Sequence, residues 1–136
     1  MNIQILSMDH IGQILPIEND CYSDPWNSSH FLYEIYNQHS KSYVALSEHD
    51  SVYGYIITHH ILDNISVLNL TVNKSCRRTG VASKLLMHLS DIAKNENVNT
   101  IDLEVRKSNI IALSLYRKEQ FEILGERRNF YSDGEN

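Results

Sequence analysis

Cysteine is scarce. Two residues, Cys21 and Cys76, give neither a disulfide framework nor the paired spacing of a zinc site. The seven histidines are scattered. His59 and His60 are neighbours in a strand-like run, so they point to opposite faces and cannot share one metal. No metal is expected. Long apolar runs are missing: nothing approaches the ~20 residues that cross a bilayer, and no signal-peptide pattern is read. The expected setting is a reducing cytosol with no membrane partner. Basic charge is short as well. Twelve Lys and Arg against 17 Asp and Glu leave a net charge of -5. Direct nucleic-acid binding wants a basic surface and is not expected. A basic substrate or partner suits this balance better. Repeats, linkers and low-complexity tracts are absent. The remainder is 136 residues with 42% hydrophobic content, enough for one globular domain, 1–136, with its own core.

Ile3, Ile5 and Leu6 read as a short first strand. Asp9 is placed to cap a helix running to about Tyr22, with Ile11, Ile14, Leu15 and Tyr22 as its buried stripe and Pro16 kinking it or delaying its start. Glu18 falls near that stripe and is read as a helix-edge carboxylate with a solvated head in preference to a cleft-lining one. Asp24-Pro25-Trp26-Asn27-Ser28 breaks the helix, and Asn27 or Ser28 caps a second one carrying Phe31, Leu32, Ile35 and Tyr36. Trp26 is either a core anchor at that corner or a wall of a substrate groove. Residues 42–47, Val52 to Leu62 and Ile65 to Val72 then read as an antiparallel meander joined by short polar turns.

Next comes Arg77-Arg78-Thr79-Gly80-Val81-Ala82-Ser83, between the last of these strands and a helix marked by Ala82, Leu85, Leu86, Leu89, Ile92 and Ala93. A glycine-bearing turn at a helix N-terminus exposes backbone N–H groups at the positive dipole end, a setting for phosphate. It is neither the dinucleotide fingerprint nor the Lys-Ser/Thr phosphate loop. A strand over 100–106 follows, and strand–helix–strand implies a parallel, right-handed crossover. There Ile101, Leu103 and Val105 alternate with Asp102, Glu104 and Arg106. The polar face is read as half-exposed or as opening on a cleft, which would make Glu104 a candidate base. Ser108-Asn109 begins another helix, through about Glu119, on which Asn109, Ala112 and Tyr116 share one face.

Arg77-x-x-Gly80-x-Ala82 after a strand, then Leu103-Glu104-Val105-Arg106, Ser108-Asn109 and Ala112-Leu113-x-Leu115-Tyr116, resemble the GCN5-related N-acetyltransferase superfamily. With Pro25-Trp26, Leu68-Asn69-Leu70-Thr71-Val72 and Arg127-Arg128-Asn129-Phe130-Tyr131, the resemblance narrows to the bacterial RimI family and covers nearly the whole chain. It implies an α/β fold: a mixed, mostly antiparallel sheet flanked by helices, with a βαβ core for acetyl-CoA. It implies transfer of acetyl from acetyl-CoA to the N-terminal alanine of small-subunit ribosomal protein number eighteen, directly, in a ternary complex. By carry-over, amides of Arg78, Thr79, Gly80, Val81, Ala82 and Ser83 hold the pyrophosphate. Leu70, Thr71 and Val72 pair their backbone with the pantetheine arm, the Val72 N–H polarises the thioester carbonyl, and Asn109 bonds the arm. Glu104 is the base and Tyr116 the acid toward the CoA thiolate. Trp26 and Tyr131 border the peptide groove. The cysteines are not nucleophiles. The same fold acting on another amine, a lysine or small polyamine, and an inactive acetyl-CoA-binding or partner-binding homologue are the alternative readings. Gln120 stands where the superfamily has Gly before Phe121. Phe121 to Phe130 is expected to be a sixth strand. The seventh, last strand of family members is expected to be missing, because the sequence ends at Asp133-Gly134-Glu135-Asn136.

Overall fold

A computed structural model of the chain describes residues 1–103. Among these residues five strands form one sheet: β1 (Asn2–Ile5), β2 (Tyr43–Leu46), β3 (Val52–Ile61), β4 (Asn64–Val72) and β5 (Thr100–Leu103). They lie side by side in chain order. The first four are antiparallel, and β5 runs parallel to β4 with Asn64 opposite Thr100 and Val67 opposite Leu103. The meander and crossover expected from the sequence are both present. Helices α1 (Ile11–Cys21), α2 (Ser28–Tyr36) and α3 (Val81–Asn95) complete the described fold.

Period-two alternation divides the core between the two faces of the sheet. Ala45, Ile56, Ile65, Val67 and Leu70 pack with Leu85, Leu86 and Leu89 of α3. Val44, Leu46, Tyr55, Ile57 and Leu68 pack with Ile14 and Ile17 of α1 and Phe31 of α2. The alternation slips once in β4. Ile57 faces Asn69 while Thr58 faces Val67, so Leu68 is an extra residue, a β-bulge. The consecutive residues Leu68 and Asn69 therefore both turn toward α1 and α2.

Four expectations are corrected. The start of the first helix is not capped by Asp9: a 3-10 turn at Met8–His10 precedes α1, and the Ser7 N–H donates to His10 Nδ1 at 3.0 Å. Within α1, Ile14, Ile17 and Glu18 are the buried residues, while Tyr22 lies just past its end. In α2, Glu34 is buried beside Phe31, and Tyr36 is 74% exposed. Its cap is as expected, with Asn27 accepting the His30 N–H at 3.1 Å. The third strand stops at Ile61, because Leu62 takes the left-handed φ of 56° in the turn to β4.

Candidate active site

Between β4 and α3 the chain makes a short 3-10 turn at Lys74–Cys76, held by Asn73 accepting the Ser75 N–H at 3.2 Å. Thr79 Oγ1 donates to the Cys76 carbonyl. Arg78 and Gly80 both adopt positive φ, 66° and 85°. Gly80 is the N-cap of α3 and has no side chain with which to cap it. The first intrahelical bond from this cap runs from the Lys84 N–H to the Gly80 carbonyl at 3.0 Å. The N–H groups of Val81, Ala82 and Ser83 then point out of the helix end with no intrahelical acceptor. Fifteen residues of aligned peptide dipoles lie behind them. Val81 and Ala82 bury their side chains in the core, which fixes the direction of those amides. Gly54 on β3 makes the close seating possible: a Cβ there would stand 2.8 Å from the Thr71 carbonyl oxygen and 3.0 Å from Val81 Cγ1.

The backbone of β4 is oriented just as definitely. The Asn73 N–H donates to the Tyr53 carbonyl at 2.8 Å, across to β3. Alternation along an antiparallel strand turns the Val72 N–H the other way, toward the β5 side. The described pairing with β5 ends at Val67 and Leu103. Leu70, Thr71 and Val72 thus form the end of β4 that leads into the turn at Arg77–Ser83.

On the opposite face, a line of side-chain hydrogen bonds converges on Glu18. Tyr22 OH donates to Thr71 Oγ1 at 2.7 Å, and Thr71 Oγ1 donates to Asn69 Oδ1 at 2.6 Å. Asn69 Nδ2 donates to Glu18 Oε1 at 3.1 Å. Tyr55 OH donates to the same oxygen at 2.6 Å, and the Trp26 N–H to Glu18 Oε2 at 3.0 Å. Burial first, and then the adjacent Glu18 carboxylate, push the Tyr55 phenol well above its ordinary range, so it keeps the proton it donates. Glu18 is 1% exposed. The solvated helix-edge reading is therefore wrong: three donors replace the water that a carboxylate would otherwise demand.

The backbone bond to Glu18 also anchors the loop that carries Trp26. The indole packs on Phe31 at 5.4 Å between ring centroids and on His30 at 5.8 Å. It also borders an open cleft of about 370 Å³, with Ser29, His30, Tyr33, Glu34 and Leu68. Trp26 is thus a corner anchor, as one reading had it, and it also lines a cleft. Glu34 was not singled out from the sequence. It is 6% exposed, and both its oxygens meet His59 Nε2, at 2.7 and 2.9 Å. His60 points to the other face, where Nδ1 lies 3.4 Å from Glu96.

Burial raises the Cys21 thiol above its usual pKa, against the pull of Arg77 and Lys74, so it is a poor nucleophile. Its sulfur meets the Val72 carbonyl at 3.8 Å and Arg77 Nη2 at 3.6 Å. Among the described residues no group of three or more His, Cys, Asp or Glu is placed to hold a metal ion, and no helix is long and apolar enough to cross a membrane. Glu104, Asn109, Tyr116 and Tyr131 lie outside the described residues. So do the rest of the strand expected over 100–106, the helix expected from Ser108 and the expected sixth strand.

The model of the Acetyltransferase (GNAT) family matches residues 11–121. The [ribosomal protein bS18]-alanine N-acetyltransferase of Salmonella typhimurium is 31% identical over 131 residues, covering 95% of this chain and 86% of that protein. The crystal structure of the ribosomal-protein-S18-alanine N-acetyltransferase from Escherichia coli gives a TM-score of 0.84 at 28% identity, covering 98% of this chain and 86% of that one. The paia N-acetyltransferase of Thermoplasma acidophilum, solved in complex with coenzyme A, shares the fold with a TM-score of 0.72 at 19% identity, over 90% of this chain and 91% of that one. The strand, uncapped helix end and crossover described above thus have a common origin: the chain belongs to the acetyltransferase (GNAT) family, whose acetyl donor is acetyl-CoA.

Proposed function

We propose that the chain is an acetyl-CoA-dependent N-alpha-acetyltransferase that acetylates the N-terminal alanine of ribosomal protein bS18. On this reading residues 1–136 form a single domain that works in the cytoplasm. The observation that carries it is the 31% identity with a bS18-alanine N-acetyltransferase along 95% of the chain. A net charge of -5 suits a basic ribosomal protein.

In this reading the amides of Arg78 to Ser83 receive the pyrophosphate, and the Gly80 cap leaves them free of a competing side chain. Leu70 to Val72 line the pantetheine arm by strand addition, joined by Asn109. The Val72 N–H polarises the thioester carbonyl. The substrate α-amine, with an ordinary pKa of about 7.7–8.0, is mostly protonated at neutral pH and needs a base. Glu104 takes that proton. The amine nitrogen then bonds to the thioester carbon, the carbon–sulfur bond breaks, Tyr116 protonates the departing thiolate, and the second proton that the nitrogen loses on becoming an amide restores Tyr116. Trp26 and Tyr131 border the peptide.

The test is turnover with acetyl-CoA and a peptide carrying the N-terminus of bS18. Acetylation of the α-amine in preference to lysine side chains or polyamines is expected. Acetylation of the other amines alone would overturn the substrate assignment. Glu104→Ala is expected to lower kcat on the order of 10²–10⁴-fold with little change in acetyl-CoA affinity. Tyr116→Phe is expected to act in the same direction. Loss of affinity with unchanged kcat would remove the role assigned to either residue.

A further inference from the structure

The cleft between α2 and the bulged part of β4 has a composition of its own. Its lining includes a buried carboxylate residue, Glu34, 6% exposed, and two aromatic residues, Trp26 and Tyr33. We propose that this cleft is a subsite for one cationic side chain, Arg or Lys, of the acceptor peptide. The proposal rests on the peptide-acetylating function above and names the side chain which that function leaves open.

Four observations point to a cation. The first is the state of Glu34. A buried carboxylate needs partners, and about four lone-pair sites are available on its two oxygens. Among the described residues the donor to both oxygens is His59 Nε2. One N–H does not fill those sites, and the rest are open to a second donor. The second is the walls. Trp and Tyr faces attract guanidinium and ammonium groups, Trp most strongly. The Trp26 ring is held in place from two sides, by Phe31 and by the bond from its backbone to Glu18. Tyr33, 65% exposed, forms the rim.

The third is His30, which also borders the cleft: its Nδ1 accepts the Asn27 N–H at 3.0 Å, so that nitrogen is already engaged in the α2 cap. The fourth is position. The cleft includes Leu68, the bulge residue, and the proposed acetyl-transfer point is at Val72, four residues further along β4. At about 3.3 Å per residue the separation is roughly 13 Å, the reach of about four extended residues. An acceptor whose amine lies near Val72 would deliver a side chain from a few residues downstream into this cleft. A volume of about 370 Å³ accommodates such a side chain.

The experiment uses peptides that begin with Ala in a neutral Ser/Gly host. A single Arg is walked through the positions after the alanine. Each Arg peptide is paired with one carrying citrulline, which has the same shape without charge, and one carrying norleucine, which is apolar. KM and kcat are measured with acetyl-CoA, and binding of each peptide to the enzyme with CoA is measured by calorimetry. At one position Arg is expected to bind roughly tenfold better than citrulline, the order of a cation–π contact joined to a partly buried ion pair. In Glu34→Gln that ratio falls to about one. Tyr33→Ala, at an exposed rim position that the fold tolerates, is expected to lower the same ratio by about half or more. An Arg preference unchanged in Glu34→Gln would overturn the proposal, as would a cleft that favours norleucine over Arg at every position. A Glu34-dependent Arg preference in binding, without acetylation of the α-amine, would keep the subsite and overturn the function. Acetylation without any such preference would do the reverse.

Discussion

On the α3 side of the sheet, every buried residue that the helix contributes is apolar: Val81, Ala82, Leu85, Leu86, Leu89 and Ala93. On the other side, α1 and α2 each bury a glutamate, Glu18 and Glu34, within otherwise apolar faces. Both glutamates bond to side chains of the sheet, one to Tyr55 and Asn69, the other to His59. The two sides solve different problems. The family's acetyl donor is the same for every acceptor, and backbone amides at a helix end suffice for a phosphate. The α3 face therefore needs only to be packed. On the function proposed above the α1–α2 side meets the acceptor, and directional bonds fix position there where apolar contact alone permits sliding.

The difference is broken most severely at Glu18. Glu18→Ala leaves the Trp26 N–H, Tyr55 OH and Asn69 Nδ2 without their acceptor, and a loss of about 3–5 kcal/mol is expected in urea unfolding. Leu89→Ala on the other side is expected to cost about 2–5 kcal/mol through its cavity. The pair diverges in kinetics: the Glu18 variant also loses peptide binding, because the Trp26 loop is released, while the Leu89 variant keeps its KM for peptide. Equal KM values in the two would show that the network stabilises without positioning.

Swaps that preserve shape sharpen the contrast. Leu86→Met is expected to cost less than about 1.5 kcal/mol. Thr71→Val takes the donor away from Asn69 Oδ1 and is expected to cost about 1–3 kcal/mol despite its equal volume. If both cost the same, the hydrogen-bonded line carries no more specificity than packing does. Gly54→Ala falls in the same range, about 1–3 kcal/mol, because the Thr71 carbonyl is backbone and cannot yield. Here the expected signature is weaker acetyl-CoA binding, measured by calorimetry, as Val81 is pushed off the sheet.

The smallest effect is one of pH. Burial, opposed by Asp9 and Asp50, lowers the pKa of His10 below its ordinary 6.5. The folded chain keeps His10 neutral, with Nδ1 accepting the Ser7 N–H. The unfolded chain takes up the proton more readily. The stabilisation is therefore complete above pH 6.5 and is lost as the pH falls below it. His10→Asn is expected to flatten the stability–pH curve in that window, and an unchanged slope would assign it to another group.

Much of the α3 face was legible in the sequence. Leu85, Leu86 and Leu89 repeat at helical period, β3 and β4 read as apolar, β-branched runs, and Gly80 stands between β4 and that helix. Those signals are local, and the structure follows them. The other face was legible only in part. Glu18 sits beside an apolar stripe, and its burial depends on Tyr55 and Asn69, 37 and 51 residues away. Glu34 depends in the same way on His59, 25 residues away. Helical periodicity carries no record of such partners. The bulge at Leu68 was silent too, since Val67-Leu68-Asn69-Leu70 reads as an unbroken strand. An Asn within that apolar run was the one available hint that something polar lay opposite. The residues assigned to proton transfer, Glu104 and Tyr116, were reached through family resemblance and lie outside the described residues.

Because the strands lie in the sheet in chain order, each pairing has its own loop-closure cost. β3 and β4 are joined across Leu62 and Asp63 alone, whereas β1 reaches β2 only across the whole of α1 and α2. Loop closure is cheap for the first and costly for the second, so the β3–β4 hairpin is expected to form early and the β1 edge late. In chevron experiments Ile56→Val or Ile65→Val should then slow refolding, while Ile3→Ala should leave refolding nearly unchanged and speed unfolding. The edge strand β1 would act as the latch of the sheet, setting how long the native state lasts more than how fast it is reached.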